Sequence, residues 1–332
     1  MLVKVAKNIY KNTAPLPENP LKEINIYIIT GEKNLVIDTG FNRKECEDSL
    51  KDAFEELGIK SADLFITHLH ADHCGLAHKF QESGSKIYAS KIDGDIINAV
   101  IGNRYWNDIE EIFIKYGFPR AKAGKNTDYH PGKKYCNEDE IKFTYVKEGD
   151  ILEYGGYKFK VIETPGHTAG HVSLYDENEK ILLCGDHILG NITPNICIEV
   201  NFDNPLQSYF KSLEKVKNLD IKLLLTAHRE MVNNVYDRIE ELFNHHNDRL
   251  AEVMKIVRRG EKTAYTVAQD MTWDIRCKNW NEFPLPQKWF ATGEAIAHLQ
   301  YLYSIGKLDR NEKNGVYSYY LHKSTIPSLT LN

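Results

Sequence analysis

The positions His68 to His73 hold three imidazoles and a carboxylate, His68, His70, Asp72 and His73, which are the side chains that bind divalent transition metals through nitrogen and oxygen. Histidine supplies 13 of the 332 residues and Asp plus Glu 47. A chance match to these offsets therefore arises in roughly three chains per thousand. The preceding run 62–67 (ADLFIT) is apolar and reads as a short strand, which places the motif on a loop at a sheet edge. His68 and His70 alternate and can face one way, while Asp72 and His73 turn toward a second position. The plainer alternative is a solvated polar loop. Imidazoles crowded together without a metal are hard to explain as core residues.

Three later segments repeat one design. Thr164-Pro165-Gly166-His167 follows an expected strand, and its Pro and Gly turn the chain and present His167. Ile181–Cys184 is apolar and ends in Gly185-Asp186. Leu223–Leu225 is apolar and leads into Thr226-Ala227-His228. Each time a strand with a buried pattern delivers one metal-binding side chain at its C-terminal end, which is how a rigid sheet holds a site.

The elements that must carry these groups follow from periodicity. Residues 24–38 read as a hairpin around Gly31-Glu32-Lys33, closed by Asp38-Thr39-Gly40. Residues 43–57 carry helical apolar spacing (Cys46, Leu50, Phe54, Leu57) and stop at Gly58. Strands are expected near 86–89, 142–146, 150–154, 157–163, 171–176, 180–185 and 221–226, and helices over 75–82, 205–217 and 232–258. Residues 91–140 interrupt this rhythm with a helical, aromatic-rich stretch (Tyr105, Trp106, Phe113, Tyr116, Phe118) that reads as an insertion, either a lid or a packing element. Beyond Gly260 come a helical run at 263–271, an aromatic stretch at 280–290, a helix at 291–305 and a hairpin ending in Val316–Leu321, the order of a winged-helix module. The expected domains are 1–260, with the insertion at about 91–140, and 261–332.

Bulk properties exclude some classes. A hydrophobic share of 42% and a charged share of 27% are those of a globular protein with a sizeable core. A net charge of −5 does not suggest a dedicated nucleic-acid binder. No apolar run approaches the length of a membrane span, and the N-terminus has no apolar leader region. The six cysteines form no C-x-x-C pair and suit a reducing cytoplasm.

Taken together, Asp38-Thr39-Gly40, H-x-H-x-D-H at 68–73, His167, Asp186 and His228 resemble the metallo-β-lactamase superfamily over residues 20–230. The resemblance implies an α+β, four-layer αββα sandwich with a dinuclear site along one edge, followed here by a mainly helical, winged-helix-like C-terminal domain. It implies that His68, His70 and His167 bind one ion, that Asp72, His73 and His228 bind a second, and that Asp186 bridges them. Zinc is the first expectation, with iron or manganese compatible with the same donors. His at position 70, where flavodiiron oxidoreductases carry Glu, and the lack of a flavodoxin-like half bring the chain closer to the zinc hydrolases.

Neighbouring residues invite roles of their own. Asp38 is expected to accept a hydrogen bond from a ligand imidazole or to fix the ligand loop, with a turn-capping role as the alternative. His171 reads as a donor behind the ligands or as a satisfied histidine at a strand start. Arg229 could meet an anionic substrate or be an ordinary solvated arginine. Cys74 and Cys184 read as small buried hydrophobes. His245 and His246 read as helix surface or a domain contact rather than a third metal site.

Two divalent ions about 3.5–4 Å apart can share one water and lower its pKa toward neutrality. The expected reaction is attack of that hydroxide on an ester, thioester or lactone of a small molecule, with Asp72 taking and returning the proton, as in a thioesterase like hydroxyacylglutathione hydrolase. One alternative is a metal-dependent endoribonuclease or phosphodiesterase. Residues 291–321 and 240–250 resemble the tail of a superfamily branch that includes β-lactamase-like proteins with endoribonuclease activity. From Ala251 onward, however, eleven Lys/Arg face eight Asp/Glu, and nucleic-acid binding needs a denser basic face. A second alternative is a non-hydrolytic redox or sensing protein on the same scaffold.

Overall fold

Several central strands are buried at nearly every position, among them residues 24–29, 35–37, 172–176 and 181–183, so they are covered on both faces. A computed structural model describes residues 2–127, 130–275 and 277–325. One sheet runs β1 (Leu2–Ala6), β2 (Ile9–Pro15), β3 (Glu23–Ile29), β4 (Leu35–Ile37), β5 (Asp63–Phe65), β6 (Ile87–Ser90) and β7 (Thr144–Val146), in that spatial order. Its first four strands pair antiparallel and its last four parallel. The other sheet holds β8 (Ile151–Tyr154), β9 (Tyr157–Glu163), β10 (Val172–Asp176), β11 (Ile181–Leu183) and β12 (Leu223–Leu225), in the order β12-β11-β10-β9-β8. Only β11 and β12 in it are parallel.

Between the sheets lies a core of inward-facing residues, among them Ile29, Ile37, Phe65 and Tyr88 from the first and Phe159, Val161, Leu174 and Leu183 from the second. The outer face of the first sheet (Ile26, Val36, Leu64, Ile87) is covered by Cys46, Leu50 and Ala53 of the helix Lys44–Leu57 and by Ala77 and Phe80 of the helix Ala77–Glu82. Gly58 ends the first of these helices with φ 65, the left-handed C-cap its position suggested. Against the second sheet, the helix Pro205–Lys217 buries Leu213 and Val216 and donates hydrogen bonds from Ser212 to the Pro165 carbonyl and from Lys215 to the Glu163 carbonyl. The layers are therefore helix, sheet, sheet, helix, the αββα sandwich expected.

Parallel pairing aligns strand ends, and this is what gathers the ligands. β4 and β5 run side by side, so Asp38 and Thr67 emerge at the same edge, with the Asp38 N–H on the Phe65 carbonyl at 2.9 Å. β11 and β12 pair Leu183 with Leu225, and Asp186 and His228 each follow three residues later. Asn25 and the Tyr27 hydroxyl of β3 donate to the Thr226 carbonyl, tying the end of β12 to the first sheet.

The N-terminal hairpin β1–β2 is an addition to the expected elements. Its turn, Lys7-Asn8, carries no glycine, and Asn8 takes the left-handed φ of 57 that Asn tolerates.

The chain divides into two compact units. The first comprises residues up to Tyr105, Pro131–Pro194 and Tyr209–Glu240, and the second Trp106–His130, Asn195–Ser208 and the chain from Glu241 on. The boundary expected near residue 260 falls inside the last segment of the second unit, which runs from Glu241 and is joined by two earlier segments. Within it, the helix Asn103–Lys115 buries Trp106, Ile109 and Phe113, and Phe113 stacks on Trp289 with ring centroids 3.7 Å apart. Trp106 and Phe113 of the 91–140 stretch are thus core residues of this unit. The helices Ala264–Asp270 and Leu285–Ser304 precede the hairpin β13 (Leu308–Lys313) and β14 (Val316–Leu321), and Lys262 bridges to Tyr319 of β14. No described helix is long and apolar enough to cross a membrane.

Candidate metal centre

After β5 the chain bends at 67–69 and reaches His70, whose φ of −64 and ψ of 143 start the short helix Ala71–Cys74. The bent segment brings His68 and His70 together, with Nε2 of His68 3.0 Å from Nδ1 of His70. The helical turn sends Asp72 and His73 elsewhere. His167 arrives from the second sheet, with its Nε2 3.0 Å from the same His70 Nδ1. Three ligand sets thus form within 4.8 Å: His68, His70 and His167; His68, His73 and Asp186; Asp72, His73 and His228.

Asp186 stands between them. Its Oδ2 lies 3.5 Å from Nε2 of His167, and its Oδ1 lies 3.5 Å from Nε2 of His73 and 3.6 Å from Nε2 of His228. Asp72 Oδ2 completes the second side, 3.4 Å from His228 Nε2 and 4.0 Å from His73 Nε2. Gly185 delivers Asp186 with φ 50, and a Cβ there would meet Thr67 Oγ1 at 2.7 Å and His171 Nε2 at 2.8 Å. No other residue fits that turn without displacing both neighbours.

Hydrogen bonds behind the ligands choose their tautomers. His73 donates Nδ1–H to Asp38 Oδ2 at 2.8 Å, and His228 donates Nδ1–H to the Glu23 carbonyl at 2.9 Å. The Thr67 hydroxyl donates to Asp38 and accepts from His68 Nδ1 at 3.0 Å. In all three rings the bare Nε2 therefore faces the cluster, the form that ligates metal. His171 donates Nδ1–H to Thr164 Oγ1 at 2.8 Å and accepts the Asp186 N–H on Nε2 at 3.2 Å, so it steadies a ligand's backbone.

The electrostatics ask for positive charge. Burial pushes the His73 imidazole down, yet the carboxylates of Asp38, Asp186 and Asp72 outweigh it and raise its pKa to about 10. Burial favours a neutral Asp72, but His73 and His228 hold its carboxyl well below the usual range. His68, buried among other imidazoles, is pushed well below its ordinary value. The Nε2 atoms of His73 and His228 and Oδ1 of Asp186 are buried with no hydrogen-bond partner among the described residues. Buried polar atoms left so are costly. Divalent ions at this nitrogen and oxygen set would satisfy them, and the donors fit zinc as well as iron or manganese.

Other residues singled out from sequence lie elsewhere. Arg229 takes φ 66, and its guanidinium donates to the Pro20 carbonyl at 3.3 Å. Cys74 and Cys184 are buried and their thiols are pushed up by burial, Cys184 to about 12. His246 is not at the helix surface: it is buried, with Nδ1 3.2 Å from Nε2 of His298.

Two residues that sequence reasoning passed over also belong to the site. Thr67 relays Asp38 to His68. Asp93, in a helix remote in sequence, accepts hydrogen bonds from the loops of two ligand groups. Its only sequence signal is the Ser90-x-x-Asp93 pattern of a helix start.

The family model described as the metallo-beta-lactamase superfamily matches residues 20–97 and 104–228, and one described as a metallo-beta-lactamase-like C-terminal domain matches 250–322. The chain is 28% identical to a beta-lactamase-like protein 2 homolog of Caenorhabditis elegans, over 83% of this chain and 82% of that protein. It is 26% identical to the "probable metallo-hydrolase YqjP" of Bacillus subtilis, over 75% and 80%. It is 28% identical to a hydroxyacylglutathione hydrolase of Crocosphaera subtropica, over 54% and 55%. Among solved structures, a metallo-beta-lactamase family protein from Thermus thermophilus superposes with a TM-score of 0.79 at 26% identity, covering 96% of this chain and 100% of that one.

Proposed function

Because this chain belongs to the metallo-β-lactamase superfamily and is a hydrolase, we propose that it is a dinuclear enzyme that cleaves an ester, thioester or lactone of a small molecule. The observation that carries the reading is Asp186, whose two carboxylate oxygens face two different groups of ligands. His68, His70 and His167 would hold one ion, and Asp72, His73 and His228 the other. When bound, two such ions supply Lewis-acid activation of water and of the electrophilic oxygen. Zinc is the metal proposed.

The chain's own residues do the rest. Asp38, Thr67 and the Glu23 carbonyl hold the imidazoles in their ligating tautomers. Asp72, kept ionised by His73 and His228, would be the acceptor for a proton released at the site and can return it to the leaving group. Similarity to a hydroxyacylglutathione hydrolase supports a thiol conjugate as the acyl donor. The order of helices and hairpin after Glu241 supports a winged-helix reading of that region, and the unpaired cysteines suit a cytoplasmic location.

The test is metal content by plasma mass spectrometry, followed by turnover of S-acylglutathiones, aryl esters and lactones with a short RNA in parallel. Two ions per chain and acyl hydrolysis lost in His68→Ala are expected. RNA cleavage without acyl turnover, or a metal-free protein that takes up no divalent ion, would sink the reading.

A further inference from the structure

One carboxylate outside the ligand set ties together the two loops that carry three of the histidines. Asp93 is 1% exposed. Its Oδ2 accepts the Leu69 N–H at 2.9 Å and the Thr168 hydroxyl at 2.6 Å, and its Oδ1 accepts the Gly170 N–H at 2.7 Å. Leu69 lies between His68 and His70, while Thr168 and Gly170 follow His167. One side chain therefore spans the loop after β5 and the loop after β9, which come from different sheets.

The details favour a purpose beyond helix capping. Asp93 is the third residue of the helix Lys91–Ala99, and its N–H donates to the cap residue Ser90 at 3.2 Å. An acid at this place commonly reaches back to the cap's own N–H; here its three recorded bonds run outward to the ligand loops. Gly170 allows the approach, because a Cβ on it would lie 2.4 Å from Ser90 Oγ and 2.5 Å from Asp93 Oδ1. The two remaining histidines of the set are held by other groups, His73 by Asp38 and His228 by the Glu23 carbonyl.

We infer that Asp93 is a positioning residue that fixes the His68–His70 loop against the His167 loop and so governs divalent-metal affinity at that set of three imidazoles. The inference rests on the metal-binding reading above. Bonds behind a ligand tune its orientation, and their loss typically costs roughly 10–100-fold in metal affinity. A loss confined to one of two sites is what separates positioning from general loosening.

The test titrates Zn2+ into the apo full-length chain against a chromophoric chelator. Asp93→Ala is expected to weaken one of the two ions by roughly 10–100-fold and leave the other within about two-fold. In double-mutant cycles the Asp93→Ala loss disappears in a His70→Ala background and persists in a His228→Ala background. Thr168→Val, which removes one bond without changing volume, and Gly170→Ala should weaken the same ion to a smaller degree. They carry the test if Asp93→Ala does not fold. Equal weakening of both ions, or equal effects in both backgrounds, overturns the inference, as does unchanged affinity in the folded variants. If the wild-type chain takes up no Zn2+, the metal-dependent function itself fails and the inference with it; wild-type uptake with unaltered Asp93 variants defeats the inference alone.

Discussion

Oδ2 of Asp38 lies 2.8 Å from Nδ1 of His73, and both side chains are buried. The same carboxylate receives the Thr67 N–H and hydroxyl, each at 2.9 Å, and that hydroxyl receives His68 Nδ1–H. One acid thereby sets the tautomers of His73 and, through Thr67, of His68, which the proposed function assigns to different ions. Asp38 also holds a left-handed φ of 62, a conformation kept only where surroundings enforce it. Asp38→Asn places an amide N–H where an acceptor is required. Metal affinity should drop by roughly 10–100-fold for both ions, with helix content preserved in far-ultraviolet circular dichroism. An unchanged zinc affinity would show that the contact is structural only.

Removing single ligands should sort the ions. His167→Ala is expected to leave one ion per chain, because His73, His228 and Asp72 remain together. His228→Ala should likewise leave one, held by His68, His70 and His167. Asp186→Ala touches both sides and should lower occupancy at each. Plasma mass spectrometry after dialysis reads the outcome. A full complement in Asp186→Ala, or a total loss in either histidine variant, contradicts the bridging position of Asp186.

The candidate ligands that the structure brings together were legible in the sequence because their types are rare and several follow an apolar run: His68 after Phe65, Asp186 after Leu183, His228 after Leu225. What held them was not. Asp93 sits more than 20 residues from any ligand it serves, and a buried aspartate in a helix start looks like any capping acid. Thr67 is an unremarkable strand-end residue until the parallel pairing of β4 and β5 sets it beside Asp38. The β1–β2 hairpin escaped notice because Lys7-Asn8 lacks the glycine that usually marks a tight turn. His246 read as helix surface or a domain contact, but its partner His298 lies 52 positions away in sequence, which periodicity cannot see.

Gly185 offers a steric test of the same edge. Its φ of 50 disfavours any side chain by about 1–2 kcal/mol on backbone grounds, and an added methyl would also press on Thr67 Oγ1 and His171 Nε2. Gly185→Ala should displace Asp186 and lower both zinc occupancy and thermal stability. The drop in midpoint temperature should shrink when His171→Ala makes room. Equal drops in the single and double variants would show that the contact with His171 is not what excludes a side chain.

Acid should weaken the second unit through His298. Its Nδ1–H donates to the Glu294 carbonyl at 2.7 Å, so its Nε2 is bare and accepts His246 Nδ1–H at 3.2 Å. Burial lowers its pKa to about 4, and burial lowers that of His246 well below its ordinary value, with His298, His245 and Arg249 adding to the effect. Unfolded, both would titrate near 6.5. Between about 4 and about 6.5 the unfolded chain thus binds more protons than the folded one, so stability rises with pH across that window and is lost as pH falls through it. The contribution is on the order of a few kcal/mol. All four tryptophans, Trp106, Trp273, Trp280 and Trp289, lie in this unit, so their fluorescence follows its unfolding in urea. The midpoint should fall from pH 7 to pH 5, and His298→Gln, which keeps an acceptor but does not titrate, should flatten that dependence. An equally steep fall in His298→Gln would place the acid sensitivity elsewhere.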